Sequence, residues 1–401
     1  MSEGTNTPRV YLDHNATTPL RPEVGRLWQE LAQSNLGNPS SLHASGRAAR
    51  DVIDRARERV AAALGVLEDE VVFTGGGTEA NNLALQGRAA ALPKDRTILA
   101  GATEHPSVQA VVERLAKIGR PIKRLAVDRS GLVNPEQVAF FLESGPVGLM
   151  TLQLANSEVG TVQPVAELAS LLGARGEGPT LHVDAVQALG RLPLDLAGDL
   201  ARADLVSLSA HKVGGPLGVG ILVRRKGTAL AAPLVGGGQE EGLRPGTEAA
   251  PAIGAAALAV ELAVRDQESH ATEVREHATW LWSELTSALP GLDLLGPPIE
   301  DASRRLPNTL TLHLGEQDAR LLVTRLDQEG LECSAGSACS SGAVEASHVL
   351  LAMGLDERAA RAGLRLSLGR NTTRSDCKRA LDVLVKVISP LLATRNNSVD
   401  L

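Results

Sequence analysis

The chain has 401 residues, enough for more than one domain of ordinary size with a sizeable core. Its net charge of −7 and its aromatic content of 2% argue against nucleic acid as the main partner, because such binding needs a basic face and stacking surfaces. Residues 1–9 are too polar for a signal peptide, and no apolar run is long enough to span a bilayer. The three cysteines favour a reducing, cytoplasmic setting, and without a paired CxxC motif no metal site is expected.

Short β-rich runs alternate with segments of helical periodicity between residues 71 and 223. Strands are predicted at 71–73, 97–100, 123–127, 147–154, 180–183, 205–208 and 219–223, and helices at 79–91, 107–118, 135–142 and 165–174. This alternation is typical of an α/β domain with a mostly parallel sheet. Because no helix separates the last two strands, one of them is expected to be antiparallel.

A glycine-rich stretch at residues 236–246 follows this region, and it could be either a linker or a ligand-binding loop. The elements predicted after it are helices at 252–265 and 271–289, a strand at 309–314, a helix at 318–328, a strand at 364–368 and a helix at 375–392. They indicate a second, smaller α+β domain. A predicted strand at 10–13 could pack with either domain.

Lys212 lies in the sequence LSAHKVGGP at positions 208–216. Lysine amines form Schiff bases with carbonyl compounds, and pyridoxal phosphate needs such a lysine together with a carboxylate for its ring nitrogen. Asp184 ends a predicted strand, where ligands of open α/β sheets bind, and it could supply that carboxylate. Taken alone, Lys212 could instead be a solvated loop lysine and Asp184 the cap of a turn.

The sequence GGGTE at positions 75–79 follows a predicted strand and opens a predicted helix. Glycine lets the backbone approach an anion, and a helix N-terminus offers free N–H groups and a favourable dipole. Gly77 and Thr78 are therefore candidates to hold a phosphate group. The alternative is a tight turn in which Thr78 caps the helix.

Further polar residues follow other predicted strands. His105 could stack on a planar cofactor or carry protons, and Asn156 could hydrogen-bond a ring hydroxyl or a carboxylate. Both could equally serve in turns. Arg365 lies in the predicted strand at 364–368, where a guanidinium could bind a carboxylate through two hydrogen bonds, although a surface position is the usual one for an arginine.

Cys339 lies in a segment of small, polar residues, SAGSACSSG at 334–342. A thiol in such a setting can act as a nucleophile once it is deprotonated. Free cysteines are more often buried, but this segment has no apolar periodicity that would bury one. Cys333 and Cys377 lie in strand-like and helical contexts, and both are predicted to be structural.

These motifs occur in the order found in a known family. The chain resembles the cysteine desulfurases over residues 10–370, through the runs 11–18, 37–41, 73–82, 103–105, 156–160, 182–187, 209–216, 244–247, 336–341 and 365–370. The resemblance implies the α/β fold of fold-type I pyridoxal-phosphate-dependent transferases, with a mostly parallel sheet in the large domain and a smaller α+β C-terminal domain. It implies a large cofactor-binding domain over residues 16–250 and a small domain built from residues 1–15 and 251–401.

The resemblance also implies how the cofactor, pyridoxal 5'-phosphate, would be held. Lys212 would be the Schiff-base lysine, Asp184 would pair with the pyridine nitrogen, and His105 would stack on the ring. The other implied cofactor contacts are Gln187 to the ring oxygen, Gly77, Thr78, Ser209 and His211 to the phosphate, and Thr247 to the phosphate of the other subunit. The contact through Thr247 implies a homodimer with shared active sites.

For the substrate, the resemblance implies that Asn156 and Arg365 bind the carboxylate of L-cysteine and that Cys339 takes its sulfur as a persulfide. L-Alanine would leave, and the sulfur would pass to acceptor proteins such as an iron–sulfur scaffold or a thiolation system. An aminotransferase or lyase of the same fold would need Lys212 and Asp184 but not Cys339. A sulfur-relay protein without turnover would need no intact lysine.

The sequence departs from the family pattern at a few positions. His14 has no implied role, and Leu217 stands where the family often has lysine. Ser157 stands where a second asparagine is common. None of these departures removes a group that the implied chemistry needs.

Overall fold

The computed structural model describes residues 9–315, 317–336 and 346–396. Up to residue 224 the helices and strands are β1 (Val10–Tyr11), α1 (Pro22–Gln33), α2 (Ala44–Leu64), β2 (Val71–Thr74), α3 (Gly77–Ala91), β3 (Thr97–Gly101), α4 (Pro106–Lys117), β4 (Ile122–Leu125), α5 (Pro135–Ser144), β5 (Val147–Gln153), α6 (Val165–Ser170), β6 (Thr180–Asp184), β7 (Leu205–Ser209) and β8 (Gly220–Arg224). Beyond it they are α7 (Ala250–Arg265), α8 (Gln267–Ala288), β9 (Asp293–Leu294), β10 (Thr309–His313), α9 (Ala319–Gln328), β11 (Leu331–Glu332), β12 (Ser334–Ala335), α10 (His348–Ala352), β13 (Gly363–Ser367) and α11 (Arg374–Asn396).

A seven-stranded sheet in the order β2-β8-β7-β6-β5-β3-β4 forms the centre of the molecule. Strand β8 runs antiparallel to both of its neighbours, and the other pairs are parallel. The predicted α/β class and the predicted antiparallel strand are therefore confirmed. Every residue of β5 and β6 is buried, as expected for parallel strands covered on both faces.

The C-terminal part forms a second layer with its own core. A four-stranded antiparallel sheet has the order β12-β13-β10-β9, and β1 pairs in parallel with β11. The chain then crosses from β1 towards the large sheet, and Asp13 bridges to Ser367 in β13 on the way. The N-terminal segment thus packs on the smaller sheet first, and residues 14–18 lead on to the central site.

Helices α1 and α2 were not predicted, although α2 carries a helical stripe. Its buried residues include Ile53, Ala56 and Val60, whose spacing places them on one face, and that face packs against α7. Buried residues of α7 belong to the same core cluster as the large sheet. Residues 250–265 thus pack with the large sheet, whereas the expected boundary after residue 250 assigns residues 251–265 to the small domain. The two-domain division itself stays a prediction.

Helix α10 and the short strands β9, β11 and β12 were not predicted either, and helix α6 and the glycine-rich stretch also differ from expectation. Helix α6 ends at Ser170 instead of residue 174, and left-handed glycines follow it at Gly173 (φ 74°) and Gly176 (φ 88°). In the glycine-rich stretch, the buried carboxylate of Glu240 accepts hydrogen bonds from the Phe73 backbone N–H (2.8 Å) and from Arg57 (2.6 Å), so this stretch is attached to β2.

Among the described helices, none is both long and apolar enough to cross a lipid bilayer.

Candidate active site

A cavity of about 1160 Å³ opens at the carboxyl ends of the parallel strands, where ligands of open α/β sheets bind. It brings together ten residues that the sequence singled out: Gly77, Thr78, His105, Asn156, Asp184, Gln187, Ser209, His211, Lys212 and Arg365. These residues come from separate strand ends and from β13 of the smaller sheet. The cavity therefore lies where the two layers meet.

Lys212 lies in a 3₁₀ turn, Ala210–Val213, directly after β7. The turn ends at Gly214, whose φ of 79° is left-handed. The Lys212 Nζ donates hydrogen bonds to the backbone carbonyls of Asn15 (2.7 Å) and Ala16 (2.8 Å). The N-terminal segment that follows β1 therefore positions the amine inside the cavity.

Asp184 is the last residue of β6 and only 6% exposed. Its Oδ1 accepts the backbone N–H of Val186 (3.0 Å), and its Oδ2 accepts the side-chain amide of Asn81 (2.8 Å). The arrangement presents a buried acceptor to a ligand with an N–H group.

The turn between β2 and α3 has the features of an anion site. Helix α3 begins at Gly77, and Gly76 precedes it with a φ of 149°. A Cβ on Gly77 would lie 3.0 Å from Val186 Cγ2 and 3.2 Å from Ser209 Cβ, so these segments pack closely against the start of the helix. Thr78 lies inside the first turn and is not the N-cap, so the structure does not support the alternative of a capping threonine.

Ser209 and His211 also line the cavity. Ser209 ends β7 and is 3% exposed. The Nδ1 of His211 lies 3.1 Å from the hydroxyl oxygen of Thr17. Burial, with added repulsion from Lys212 and Arg191, lowers the pKa of His211 to about 4, so its ring is neutral near pH 7.

Gln187 also faces the cavity. Its Nε2 donates to the Asn15 carbonyl (3.0 Å), and its Oε1 accepts from the buried Arg191 (2.7 Å). These bonds fix the amide with its nitrogen near the same carbonyl that holds Lys212. The side chain is thus a pre-oriented donor, as a contact to a ring oxygen would need.

His105 is the N-cap residue of α4 and lines the cavity. Its Nδ1 accepts the backbone N–H of Ser107 at 3.1 Å, so the predicted turn role is also present. Burial lowers the pKa of His105, while the charge of Asp184 acts in the opposite direction. The ring is thus held rigidly and favours its neutral form.

Asn156 and Arg365 also line the cavity. Asn156 makes a turn, since its Oδ1 accepts the backbone N–H groups of Glu158 (2.8 Å) and Val159 (2.9 Å). Arg365 is 3% exposed, and its guanidinium donates to Asp13 Oδ1 (2.7 Å) and to the Ser157 carbonyl (3.1 Å). The Arg365 Nε is buried and has no hydrogen-bond partner among the described residues.

Two predicted site residues are not placed in this cavity. Thr247 is exposed and does not line it. Cys339 lies outside the described residues. The other cysteines are buried, and burial raises the pKa of the Cys333 thiol to about 12 and that of Cys377 to about 11, so neither is a ready thiolate.

Several polar residues of the site were not predicted, although some lie in the quoted motifs. Asn15 lies in the motif at 11–18, and its backbone carbonyl joins Lys212 to Gln187. Glu104 is fully buried, and its Oε1 accepts the Gln153 backbone N–H. Others that line the cavity are Asn81, Ser107, Glu158 and His348. The feature that distinguishes these residues is a polar side chain inside the fold, and a single sequence does not reveal which polar side chains are buried.

Comparison with known proteins identifies the class first. The sequence model of the class-V aminotransferases matches residues 10–380. A NifS-like protein of known structure superposes with a TM-score of 0.87 at 34% identity, covering 95% of this chain and 99% of that one. The structure titled SspA in complex with cysteine has a TM-score of 0.77 at 31% identity, covering 91% of this chain and 100% of the other.

Sequence relatives show which family within this class the chain belongs to. The cysteine desulfurase IscS of Dictyoglomus turgidum is 39% identical over 383 residues, 95% of each chain. A cysteine desulfurase of Cereibacter sphaeroides is 39% identical over 387 residues, 96% of this chain and 97% of the other. The chain belongs to the cysteine desulfurases within the class-V aminotransferase family.

Proposed function

We propose that this protein converts L-cysteine to L-alanine, uses pyridoxal 5'-phosphate, and accepts the sulfur on Cys339. The observation that carries the proposal is the convergence of Lys212, Asp184 and Arg365 in one cavity between the two layers. An amine, a buried carboxylate and a buried guanidinium are the groups that this cofactor and an amino acid substrate would require. The family membership gives the reaction class.

The residues present fit the cofactor. Asp184 would accept the ring N–H, and Gln187 would donate to the ring oxygen. The phosphate would lie at the N-terminus of α3, held by Gly77, Thr78, Ser209 and His211, where glycine leaves room for a close approach. When bound, pyridoxal phosphate supplies an aldehyde that condenses with amines and a ring that accepts electron density.

The protein's own residues then have distinct tasks. Arg365 and Asn156 would orient the substrate carboxylate at the end of the cavity next to β13. Lys212, held by two backbone carbonyls, would take the α-proton and return it. The neutral rings of His105 and His211 would add no positive charge that repels the Lys212 amine.

Sulfur transfer needs a nucleophilic thiolate, and we assign this role to Cys339. Its sulfur would attack the substrate sulfur, so that an S–S bond forms and the Cβ–S bond breaks. The electron pair of the broken bond would stay with the carbon fragment, which gains a proton and leaves as alanine. We further propose that the resulting persulfide passes to acceptor proteins such as an iron–sulfur scaffold, in the cytoplasm.

A homodimer with shared sites is part of this proposal. Large apolar side chains are exposed at Leu42 (90%), Leu217 (74%) and Val235 (97%), and Leu217 also lines the cavity. Such exposure suits burial by a second copy. Thr247 is exposed and could reach the phosphate site of that copy. Sedimentation of wild-type protein should give the mass of a dimer, and a monomer at micromolar concentration would contradict this part.

Product analysis tests the function. Purified protein incubated with L-cysteine and a thiol reductant should release alanine and sulfide in equal amounts. Cys339→Ala should abolish sulfide release, whereas the matched substitution Cys333→Ala, at a buried thiol, should retain it. Full sulfide production by Cys339→Ala would show that the nucleophile is wrongly assigned. Amino transfer to a keto acid without alanine from cysteine would contradict the function itself.

A further inference from the structure

A chain of buried polar side chains links Asp184 to His105. The Asn81 amide nitrogen lies 2.8 Å from Asp184 Oδ2 and 2.9 Å from Ser107 Oγ. The Ser107 Oγ lies 2.8 Å from His105 Nδ1, and the Ser107 backbone nitrogen lies 3.1 Å from the same atom. Asn81 is 1% exposed and Ser107 9% exposed, so this chain of contacts is shielded from solvent.

The direction of each hydrogen bond follows from what each group can do. An ionised carboxylate only accepts, so the Asn81 atom that faces Asp184 is its N–H group. The same nitrogen donates its second hydrogen to Ser107 Oγ, which leaves the hydroxyl hydrogen of Ser107 for His105 Nδ1. The Ser107 backbone N–H can only donate. The Nδ1 of His105 therefore accepts two hydrogen bonds and carries no hydrogen.

We propose that Asn81 and Ser107 are positioning residues that hold His105 as the neutral tautomer with hydrogen on Nε2, coupled through their hydrogen bonds to the Asp184 carboxylate. In this tautomer the ring is a donor through Nε2 and has no free acceptor nitrogen. This inference depends on the proposed function in one respect only, the use of the Nε2 hydrogen. His105 would give a hydrogen bond to a bound ligand through Nε2 and would stay neutral.

The same geometry opposes protonation of His105. A hydrogen on Nδ1 would point at the Ser107 backbone N–H, which cannot reverse its direction as a hydroxyl can. The charged groups that act on the ring are Asp184, which favours the imidazolium, and Lys212 and His348, which disfavour it. The hydrogen-bonded chain therefore acts in the same direction as burial and keeps the ring neutral.

The protein has a second histidine with the same local contacts to a serine hydroxyl and a backbone N–H, and it serves as a control. His43 is the N-cap of α2, its Nδ1 accepts the Gly46 backbone N–H (3.3 Å), and Ser45 Oγ lies 3.0 Å from that nitrogen. This histidine is exposed, and neither Asn81 nor Asp184 contributes to it. Ser45→Ala removes the same hydroxyl contact as Ser107→Ala, but away from the cavity.

NMR of isotopically labelled histidine in the cofactor-loaded enzyme tests the inference. Wild type should show His105 with hydrogen on Nε2. Ser107→Ala should raise the pKa of His105 by about one unit, because the neutral ring loses one donor. Asn81→Leu should raise it in the same direction by releasing the hydroxyl of Ser107, whereas Ser107→Thr should restore the wild-type value and Ser45→Ala should leave it unchanged.

A hydrogen on Nδ1 in wild type, or the same His105 pKa in Ser107→Ala and Ser45→Ala, would overturn the inference. An unchanged pKa in Asn81→Leu would remove Asn81 from the chain. The acid limb of the kcat profile should move with the pKa in Ser107→Ala. Because the tautomer is read without turnover, a protein that makes no alanine yet has hydrogen on Nε2 would refute the function and leave this inference standing.

Discussion

Replacing Arg365 by methionine should impair the use of L-cysteine far more than it impairs folding. The guanidinium is buried at the end of the cavity, and its Nε lacks a partner among the described residues. A substrate carboxylate could take this N–H and one more from the same group. If one to two charge-assisted bonds are worth about 3 kcal/mol, kcat/KM should fall about a hundredfold.

The same substitution removes the partner of Asp13, whose side chain is 20% exposed. Loss of a fully buried partner costs about 3–5 kcal/mol, and partial exposure should reduce the cost here to about 2 kcal/mol. The double variant Asp13→Asn/Arg365→Met should therefore recover most of the stability and none of the kcat/KM. Steady-state kinetics and urea unfolding of both variants measure the two effects separately.

Arg21 provides the matched control. It pairs with Asp266 at 2.8 Å, with side-chain exposures of 7% and 29%, and it does not line the cavity. Arg21→Met should cost similar stability and leave kcat/KM near the wild-type value. If Arg365→Met and Arg21→Met have kcat/KM values within about threefold of each other, the assignment of Arg365 to the substrate carboxylate is wrong.

Lys212→Ala should abolish alanine formation while circular dichroism stays unchanged, and residual turnover above about 1% of wild type would contradict its role as the proton-carrying amine. Burial lowers the pKa of His182 to about 4, so the free energy of unfolding should fall as the pH drops from 6.5 towards 4. His182→Gln should remove about 2 kcal/mol of this fall by about pH 5, as measured by urea unfolding. The same pH dependence of the unfolding free energy in wild type and His182→Gln would contradict this prediction. A Cβ at Gly336 would lie 2.9 Å from Glu158 Oε2, the end of a buried side chain that accepts a hydrogen bond from the Ser347 hydroxyl (2.6 Å). Because the carboxylate would have to shift and weaken that bond, Gly336→Ala should cost about 1 kcal/mol, whereas Gly145→Ala, with open space, should cost little. Equal melting temperatures of the two variants would exclude the clash.

Much of the central sheet could be predicted because parallel strands leave a strong signal. The apolar runs that became β5 and β6 are bounded by turn residues and separated by helical segments. Helices α1 and α2 gave weaker signals: α1 buries only Val24, and α2 combines many arginines with small alanines. Because alanine side chains are small, the buried face of such a helix differs little in hydrophobicity from its exposed, polar face.

The residues of the site also divide into those that the sequence indicates and those that it does not. Lys212, Asp184 and Thr78 stand in short motifs beside predicted strand ends, so their presence in one cavity could be predicted from the sequence. Asn81 and Ser107 act through hydrogen bonds across the fold, and Asn81 lies 103 positions from its partner Asp184. Such pairings depend on tertiary packing and leave no local pattern.

The fate of the substrate sulfur tests the central claim most directly. In a single turnover with L-cysteine, the peptide that contains Cys339 should gain the mass of one sulfur atom, and one alanine should form for each modified thiol. The Cys333 and Cys377 peptides should keep their original masses, since burial raises the pKa of both thiols. Alanine formed without added sulfur on Cys339 would contradict the account.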